Sequence, residues 1–269
     1  MAIFYWLLYG LKWKCWRIYN FCCNLFWVYG SIDWTILIAG HSQAKYFGKY
    51  LSLPDTDVLS FSGYRIDMMF KEIQPTVRNY QTIVLHVGAN DLSRGTTVKT
   101  TLQKLQQLTS DIWDINPTAT ILLSGLLPRV DNQFPGAMPR DDFLQDINNK
   151  AYQVNNCLAS LQTQIPKLHY VSHSSFIQHG EIQRHLLSRD GLHLSFKGTA
   201  QVVADIEKAV LDLHNTEPTS IWDIQLPAST PPAPATTQTQ QTTPYKTALL
   251  TLPTPPPQQT GFRGIKSTR

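Results

Sequence analysis

Short apolar segments alternate with amphipathic segments through the middle of this chain, from about residue 35 to residue 215. The apolar segments are rich in β-branched residues, and the segments between them repeat apolar residues every three or four positions. These patterns are typical of buried strands and of helices that pack one face. Because each crossover between parallel strands needs a helix, the alternation predicts a three-layer α/β/α domain. The predicted strands are Thr35–Ala39, Asp57–Phe61, Thr82–Val87, Ala119–Gly125 and Leu168–Ser172.

Three of the intervening segments have long apolar stripes at helical spacing. Each stripe predicts a helix that covers one face of the sheet. The stripes are Val98, Leu102, Leu105, Leu108 and Ile112; Phe143, Ile147, Ala151, Val154, Leu158 and Leu161; and Val202, Ile206, Ala209, Val210 and Leu213.

The two ends of the chain differ from the middle in composition. Residues 1–33 are apolar and aromatic, whereas residues 216–269 are rich in Pro, Thr and Gln and have few large apolar side chains. A segment of the second kind buries too little apolar surface to offset the entropy lost on ordering. We therefore predict an N-terminal extension (1–33), one α/β domain (34–215) and a disordered tail (216–269).

The N-terminal extension contains two uncharged apolar runs separated by three basic residues. Neither run reaches the roughly 20 residues that span a bilayer, and the basic residues follow the first run, unlike those of a secretory signal. An aromatic segment of this kind can lie in a membrane interface, where Cys22 and Cys23 are candidates for acylation. We hypothesise membrane contact through residues 1–30, with a helix packed on the domain or an upstream piece of a longer reading frame as alternatives. A cytoplasmic or membrane-peripheral location is favoured over secretion.

Charge and cysteine content indicate neither a nucleic-acid partner nor a metal. The formal net charge of +4 over 269 residues is small, whereas nucleic-acid-binding domains usually carry a dense basic stripe. The four cysteines include no C-x-x-C pair, so neither a zinc site nor a disulfide framework is predicted. We expect no cofactor and no nucleic-acid partner, and the oligomeric state stays open.

Polar and glycine residues follow the predicted strands at one edge of the sheet. Ser42 follows the first strand, Gly63 follows the second at the start of a predicted helix, and Asn90 follows the third, while Asp190 and His193 lie in a loop before the last helix. Open α/β sheets place their chemistry at the carboxyl ends of the strands. Taken alone, Ser42 is better explained as a helix N-cap than as a nucleophile. The other residues at the same edge favour a catalytic role.

These residue types are suited to nucleophilic attack on an ester. The Ser42 hydroxyl needs a base, and His193 can accept its proton through Nε2. Asp190 can hold the imidazole in one tautomer through Nδ1. The Ser42 amide, the Gly63 amide and the Asn90 side-chain NH2 can stabilise the oxyanion that forms. The sequence therefore predicts a serine-histidine-aspartate triad with an oxyanion hole.

Four short blocks of sequence together resemble a known family. They are Gly-His-Ser ending at Ser42, Ser-Gly-Tyr-Arg-Ile-Asp around Gly63, Gly-Ala-Asn-Asp around Asn90, and Asp-Gly-Leu-His from Asp190 to His193. Their order and separation are similar to those of the SGNH hydrolases, also called GDSL-like lipases and esterases, over the whole predicted domain. The resemblance implies the same triad and oxyanion roles and small-molecule or lipid ester substrates. It also implies no metal and a flavodoxin-like parallel sheet of five strands, commonly in the order 2-1-3-4-5.

One position departs from the family pattern. His41 stands where these hydrolases usually have an aspartate before the nucleophile, an acid that helps to fix the nucleophile turn. Adjacent residues in a strand-to-helix turn point apart, so His193 and not His41 is expected to be the base. The Gly-His-Ser form, together with Leu-His-Val-Gly-Ala-Asn-Asp-Leu, resembles a group of invertebrate and fish SGNH domains, some of them associated with retroelements.

Three functions are compatible with these motifs. The first is a serine esterase, which is favoured because every residue of the site is present. The second is a non-catalytic SGNH-like binding module, since one fold can host unrelated functions. The third is a retroelement accessory protein that binds nucleic acid or membrane.

Structural roles are expected for the other polar residues near the motifs. Asp91 is expected to stabilise the turn that presents Asn90. His86 is expected to lie within the sheet, because it falls in a predicted strand. Exposed loop positions are expected for His173, His179 and His185, whose spacing does not suit a metal.

Overall fold

The computed structural model describes residues 35–136 and 141–216. The predicted N-terminal extension and all but the first residue of the predicted tail lie outside these ranges. The membrane-contact and disorder predictions made for those segments therefore stay predictions.

Five parallel strands form the central sheet: β1 (Ile36–Gly40), β2 (Thr56–Ser60), β3 (Thr82–His86), β4 (Thr120–Ser124) and β5 (Leu168–Val171). Their order is β2-β1-β3-β4-β5, as the family resemblance implied. Every residue of β1 and β3 is buried, because helices cover both faces of the sheet. The predicted strands are confirmed to within one or two residues at each end, and so is the three-layer α/β/α fold.

Helices connect the strands and form the two outer layers. A 3-10 helix (Ser42–Lys49) follows β1 and leads to β2. The α-helices are α1 (Ile66–Ile73), α2 (Ala89–Ser93), α3 (Val98–Ile115), α4 (Asp141–Leu161) and α5 (Phe196–Thr216). Most residues of the three predicted apolar stripes are buried, as Leu105, Val154 and Ile206 illustrate, but Phe143 at the start of the second stripe is exposed.

The main apolar core lies between one face of the sheet and the helices α1, α3 and α4. Alternate strand residues point into it, including Leu37 and Ile83, where they meet Met69 and Ile112. The period of two along each strand sends the intervening residues to the opposite face. This packing fixes the position of the strands and therefore the position of the loops at their carboxyl ends.

Two local features differ from the sequence prediction. The helix after β2 begins at Ile66 and not at Gly63, because Gly63 has a left-handed backbone (φ 75°) that a helix cannot include. A small hairpin pairs Ile177–Gln178 with Glu181–Ile182 in a segment where no element was predicted. Among the described residues, no helix has both the length and the apolar character needed to cross a membrane.

Candidate active site

A tight turn presents Ser42 at the carboxyl end of β1. A Cβ on Gly40 would lie 2.8 Å from the Ala44 Cβ and 3.0 Å from the His86 carbonyl oxygen, so the strand can approach the 3-10 helix this closely only with glycine. The N-cap of that helix is His41, whose Nδ1 accepts a hydrogen bond from the Gln43 amide at 3.4 Å. Because His41 caps the helix, the Ser42 hydroxyl is available for other contacts.

The Ser42 hydroxyl faces the loop that precedes α5. Its Oγ lies 3.1 Å from Nε2 of His193, and Nδ1 of His193 lies 2.5 Å from Oδ2 of Asp190. The structure thus brings together Ser42, His193 and Asp190 in one hydrogen-bonded series. The His193 side chain is 44% exposed, so it is accessible from solvent.

Asp190 is held as a carboxylate by several donors. Burial alone would raise its pKa, but hydrogen bonds from the Ser188 hydroxyl, the His193 ring, and the backbone amides of Leu192 and His193 hold the pKa of Asp190 well below its usual range. Its Oδ1 accepts from the Ser188 hydroxyl at 2.6 Å and from the His193 amide at 2.8 Å. An acid held in this way stays ionised at neutral pH and orients the imidazole.

The Asp190–His193 loop is fixed from two sides. The Val130 amide donates to the Gly191 carbonyl at 3.0 Å. Gly191 has φ 68°, and a Cβ added to it would clash with the Val130 carbonyl oxygen. On the other side, Nε2 of Gln43 donates to the Leu192 carbonyl at 2.7 Å. Gln43 directly follows Ser42, so it joins the turn that carries Ser42 to the loop that carries His193.

The three candidate oxyanion donors follow the neighbouring strands β1, β2 and β3. Within the described residues, neither the Ser42 amide nor the Gly63 amide donates a hydrogen bond. Nδ2 of Asn90 donates to the Tyr64 carbonyl at 2.9 Å, which ties Asn90 to the turn that contains Gly63. Gly63 is exposed and its backbone is left-handed. Its amide is therefore accessible, and both amides are without a competing acceptor in this part of the chain.

His41 is buried beside Ser42 in its neutral form. Burial, followed by the nearby charges of Arg129 and His193, lowers the pKa of His41 from 6.5 to about 4. Its Nδ1 is already engaged by the Gln43 amide. The structure therefore gives His41 a capping role at the position where the family usually has an aspartate.

Arg129 is a feature of this region that sequence reasoning missed. Its guanidinium donates to the Ala89 carbonyl at 2.8 Å, and burial lowers the pKa of Arg129 to about 10. No carboxylate among the described residues pairs with it. Its backbone adjoins Val130, so Arg129 lies between the helix that carries Asn90 and the Asp190–His193 loop. No motif or periodicity in the sequence marked it.

The expected roles of two polar residues were wrong. His173 was expected in an exposed loop, but it is buried and bonded to Ser124 and Asp205, because the chain after β5 packs under α5. Asp91 does not stabilise its own turn with its side chain. Its carboxylate accepts from the Ile66 amide at 3.0 Å and pairs with Lys104 at 2.9 Å, which joins α1 to α3.

The expected positions of three other histidines are confirmed. His86 is buried at the end of β3, and His179 and His185 are exposed. The described part of the chain contains no group of three or more His, Cys, Asp or Glu side chains arranged to hold a metal ion.

Residues 37–201 match the sequence model of the GDSL-like lipase/acylhydrolase family. This match covers more than half of the chain and includes all four motif blocks. The chain belongs to this family. It is therefore a hydrolase of the acylhydrolase type, and its resemblance to the SGNH hydrolases is confirmed. No curated protein matches the sequence significantly.

Solved structures share the fold of this acylhydrolase at low sequence identity. A protein assigned as an acylhydrolase from Bacteroides fragilis superposes with a TM-score of 0.56 at 14% identity, over 68% of this chain and 89% of its own. A GDSL-like lipase from Bacteroides thetaiotaomicron gives 0.53 at 15% identity, over 66% and 88%. A protein of Streptococcus pneumoniae assigned as a platelet activating factor gives 0.53 at 18% identity, over 78% and 99%. At these identities the similarity concerns the fold alone.

Proposed function

We propose that this acylhydrolase is a serine esterase that hydrolyses carboxylic esters of small molecules or lipids. The observation that carries the proposal is the unbroken series from Ser42 Oγ through the His193 ring to the Asp190 carboxylate, with contacts of 3.1 and 2.5 Å. The 3.1 Å contact is short enough for proton transfer from a nucleophile to its base, and the 2.5 Å contact joins that base to the acid that orients it. The depressed pKa of Asp190 supports its role as the permanent anion of the series.

In the first half of the reaction, the Ser42 oxygen attacks the carbonyl carbon of the ester. Nε2 of His193 accepts the hydroxyl proton, and the ionised Asp190 stabilises the imidazolium that results. The tetrahedral intermediate then collapses, and its carbon-oxygen bond to the alcohol breaks. His193 returns its proton to the departing alcohol, which leaves an acyl group on Ser42.

In the second half, water replaces the alcohol. His193 removes a proton from the water as the water oxygen attacks the acyl carbon. Collapse of the second intermediate breaks the bond to Ser42, and His193 reprotonates the serine oxygen. The products are a carboxylic acid and the regenerated enzyme, so the reaction needs no cofactor.

The amides of Ser42 and Gly63 and the side chain of Asn90 are the proposed oxyanion donors. Their role is supported by the two amides, which have no acceptor among the described residues, and by the Asn90 contact to Tyr64, which orients the side-chain amide. A donor of this kind is worth about 2.7–4 kcal/mol in the transition state.

Hydrolysis of p-nitrophenyl acetate and butyrate tests the proposal. Ser42→Ala and His193→Ala should each lower kcat on the order of 10⁴-fold or more, because each removes a group that the triad uses as a unit. Ser174→Ala and His185→Ala are matched controls, since both residues are exposed and lie outside the site. Equal rates for wild type and the two site variants would contradict the proposal.

Covalent labelling gives a second readout of the nucleophile. A fluorophosphonate should modify Ser42 in the wild-type protein, and Asp190→Asn should slow the labelling. A serine that serves only as part of a helix turn would not react, so absence of labelling at Ser42 would favour a non-catalytic module.

A further inference from the structure

A buried series of polar side chains extends from the base loop across the sheet. Nε2 of Gln43 donates to the Leu192 carbonyl at 2.7 Å, and Oε1 of Gln43 lies 3.0 Å from Nε2 of His86. On the other side of its ring, Nδ1 of His86 lies 2.7 Å from the Ser124 hydroxyl. The series thus begins between the nucleophile and the base and continues from β3 to the end of β4.

The same series continues from Ser124 to α5. The Ser124 hydroxyl lies 2.8 Å from Nε2 of His173, and Nδ1 of His173 lies 2.8 Å from Oδ2 of Asp205. The other oxygen of Asp205 accepts from Gln201 at 2.9 Å. The proposed mechanism uses none of these side chains.

A serine, a histidine and an aspartate are bonded in sequence here as in a catalytic triad: Ser124, His173 and Asp205. Substrate cannot reach them. Ser124 is 2% exposed and His173 is 8% exposed. The Ser124 hydroxyl also has two ring nitrogens as neighbours, one on His86 and one on His173. A positioning role therefore fits this set better than a catalytic one.

The number of protons that the hydrogen bonds of the series require fixes its protonation state. Five contacts link the Leu192 carbonyl to the Asp205 carboxylate, and each needs one proton. The four side chains between these ends each supply one proton along the series when they are neutral. Both ends are acceptors, so neither an amide flip nor a change of tautomer supplies the missing fifth proton. The series is complete only if it carries one additional proton.

Two features place the additional proton on His173. His86 is neutral, because burial, then His41 and His173, hold its pKa well below the usual value. Asp205 faces the series as an acceptor, since its Oδ1 accepts from Gln201 and its Oδ2 lies 2.8 Å from Nδ1 of His173. His173 then donates from both ring nitrogens, to Asp205 and to Ser124, as an imidazolium paired with a carboxylate.

We propose that Gln43, His86, Ser124, His173 and Asp205 form a positioning network that holds the Leu192 carbonyl, and with it the Asp190–His193 loop, against the nucleophile turn. With Asp205 as a carboxylate, the network is complete only when His173 is an imidazolium. Its effect on rate rests on the proposed esterase mechanism, whereas its protonation state does not.

The physical reason for an effect on rate is the geometry that Gln43 controls. Without a partner for Oε1, the Gln43 amide is free to rotate, and the Leu192 carbonyl loses a fixed donor. The base loop then shifts relative to Ser42. A misplacement on the order of 1 Å costs about 10²-fold in rate, with little effect on the binding of substrate.

The activity test compares two variants at Asp205. Asp205→Ala removes the acceptor that anchors Nδ1 of His173, so the ring can rotate or change tautomer and no longer holds the Ser124 hydroxyl; kcat should fall by up to about 10²-fold with KM within about threefold. Asp205→Asn should restore kcat to within about threefold of wild type. Its amide NH2 can donate to Nδ1 of a neutral His173 while its oxygen accepts from Gln201, which supplies the fifth proton without a charge.

Ser124→Ala interrupts the network at its centre and should lower kcat by a similar factor. Thr101→Val is the matched control, because Thr101 is also buried but its hydroxyl has no hydrogen-bond partner among the described residues. If Ser124→Ala does not fold, as judged by circular dichroism, the pair of variants at Asp205 decides. Activity in Ser124→Ala or Asp205→Ala equal to that of the Thr101 variant would overturn the proposal.

Nitrogen-15 NMR of the histidine side chains tests the proton directly. At neutral pH, His173 should show two protonated ring nitrogens in the wild-type protein and a single protonated nitrogen, Nε2, in Asp205→Asn. A neutral His173 in the folded wild type would overturn the proposal even if the enzyme is active. If wild type shows no esterase activity, the proposed function fails, and the NMR result still decides the state of the network.

Discussion

Replacement of His41 by asparagine should make the protein less sensitive to acid. His41 is 2% exposed, and its pKa falls from 6.5 to about 4 in the folded chain, mainly through burial. The unfolded chain therefore takes up the proton first as the pH falls. The contribution of His41 to stability is complete above about pH 6.5, decreases between about pH 6.5 and 4, and does not fall further below that range.

The difference between a pKa of 6.5 and one of about 4 gives the magnitude. At about 1.36 kcal/mol for each pKa unit, the free energy of unfolding should fall by about 3 kcal/mol from this group between pH 7 and pH 4. The asparagine side chain does not titrate in this range, and its oxygen can still accept a hydrogen bond from the Gln43 amide as an N-cap. The variant should lack this part of the pH dependence.

Urea unfolding followed by circular dichroism at about pH 7 and about pH 4 measures the effect. The drop in unfolding free energy should be smaller in His41→Asn than in wild type by about 3 kcal/mol. His179→Asn is the matched control, because it makes the same chemical change at an exposed residue whose positive φ asparagine tolerates. An equal drop in wild type and His41→Asn would refute the assignment of a buried, neutral His41.

Three further results are expected. Asp190→Asn should lower kcat on the order of 10⁴-fold, because asparagine leaves His193 in the wrong tautomer; a loss below tenfold in p-nitrophenyl butyrate hydrolysis would argue against the triad. Asn90→Ala should lower kcat by about 10²–10³-fold without a matching rise in KM, since the lost hydrogen bond forms in the transition state; steady-state kinetics separates the two parameters. Gly191→Ala should destabilise the fold by about 1–3 kcal/mol, because its φ is 68° and its Cβ would meet the Val130 oxygen; an unchanged midpoint of thermal unfolding would contradict this interpretation of the loop.

The candidate site was predictable because each of its parts follows a local pattern. An apolar run that ends in Gly-His-Ser predicts β1 and the turn at Ser42, and the apolar run before Asn90 predicts β3. Parallel strands have their carboxyl ends at one edge of the sheet. Once the strands were recognised, Ser42 and His193 could be expected to lie close together, although these residues are 151 positions apart.

The neighbours of the site were less predictable, because they depend on contacts between distant elements. The sequence places Asp91 beside Asn90 but does not show that its carboxylate meets the Ile66 amide. Likewise, the contact of the Arg129 guanidinium with the Ala89 carbonyl depends on the course of a loop that no periodicity defines. Sequence patterns report spacing along one element, whereas these contacts depend on how the helices pack.

The sequence by itself determined the alternation of strands and helices, the sheet edge where the motifs meet and the identity of the reactive groups. Only the tertiary structure decided which polar residues are buried together. His173 follows β5 in a segment that resembles an exposed loop, yet it lies between Ser124 and Asp205. The physical reason is that burial and hydrogen-bond partners, which set charge and tautomer, belong to the packed chain and not to any one segment of it.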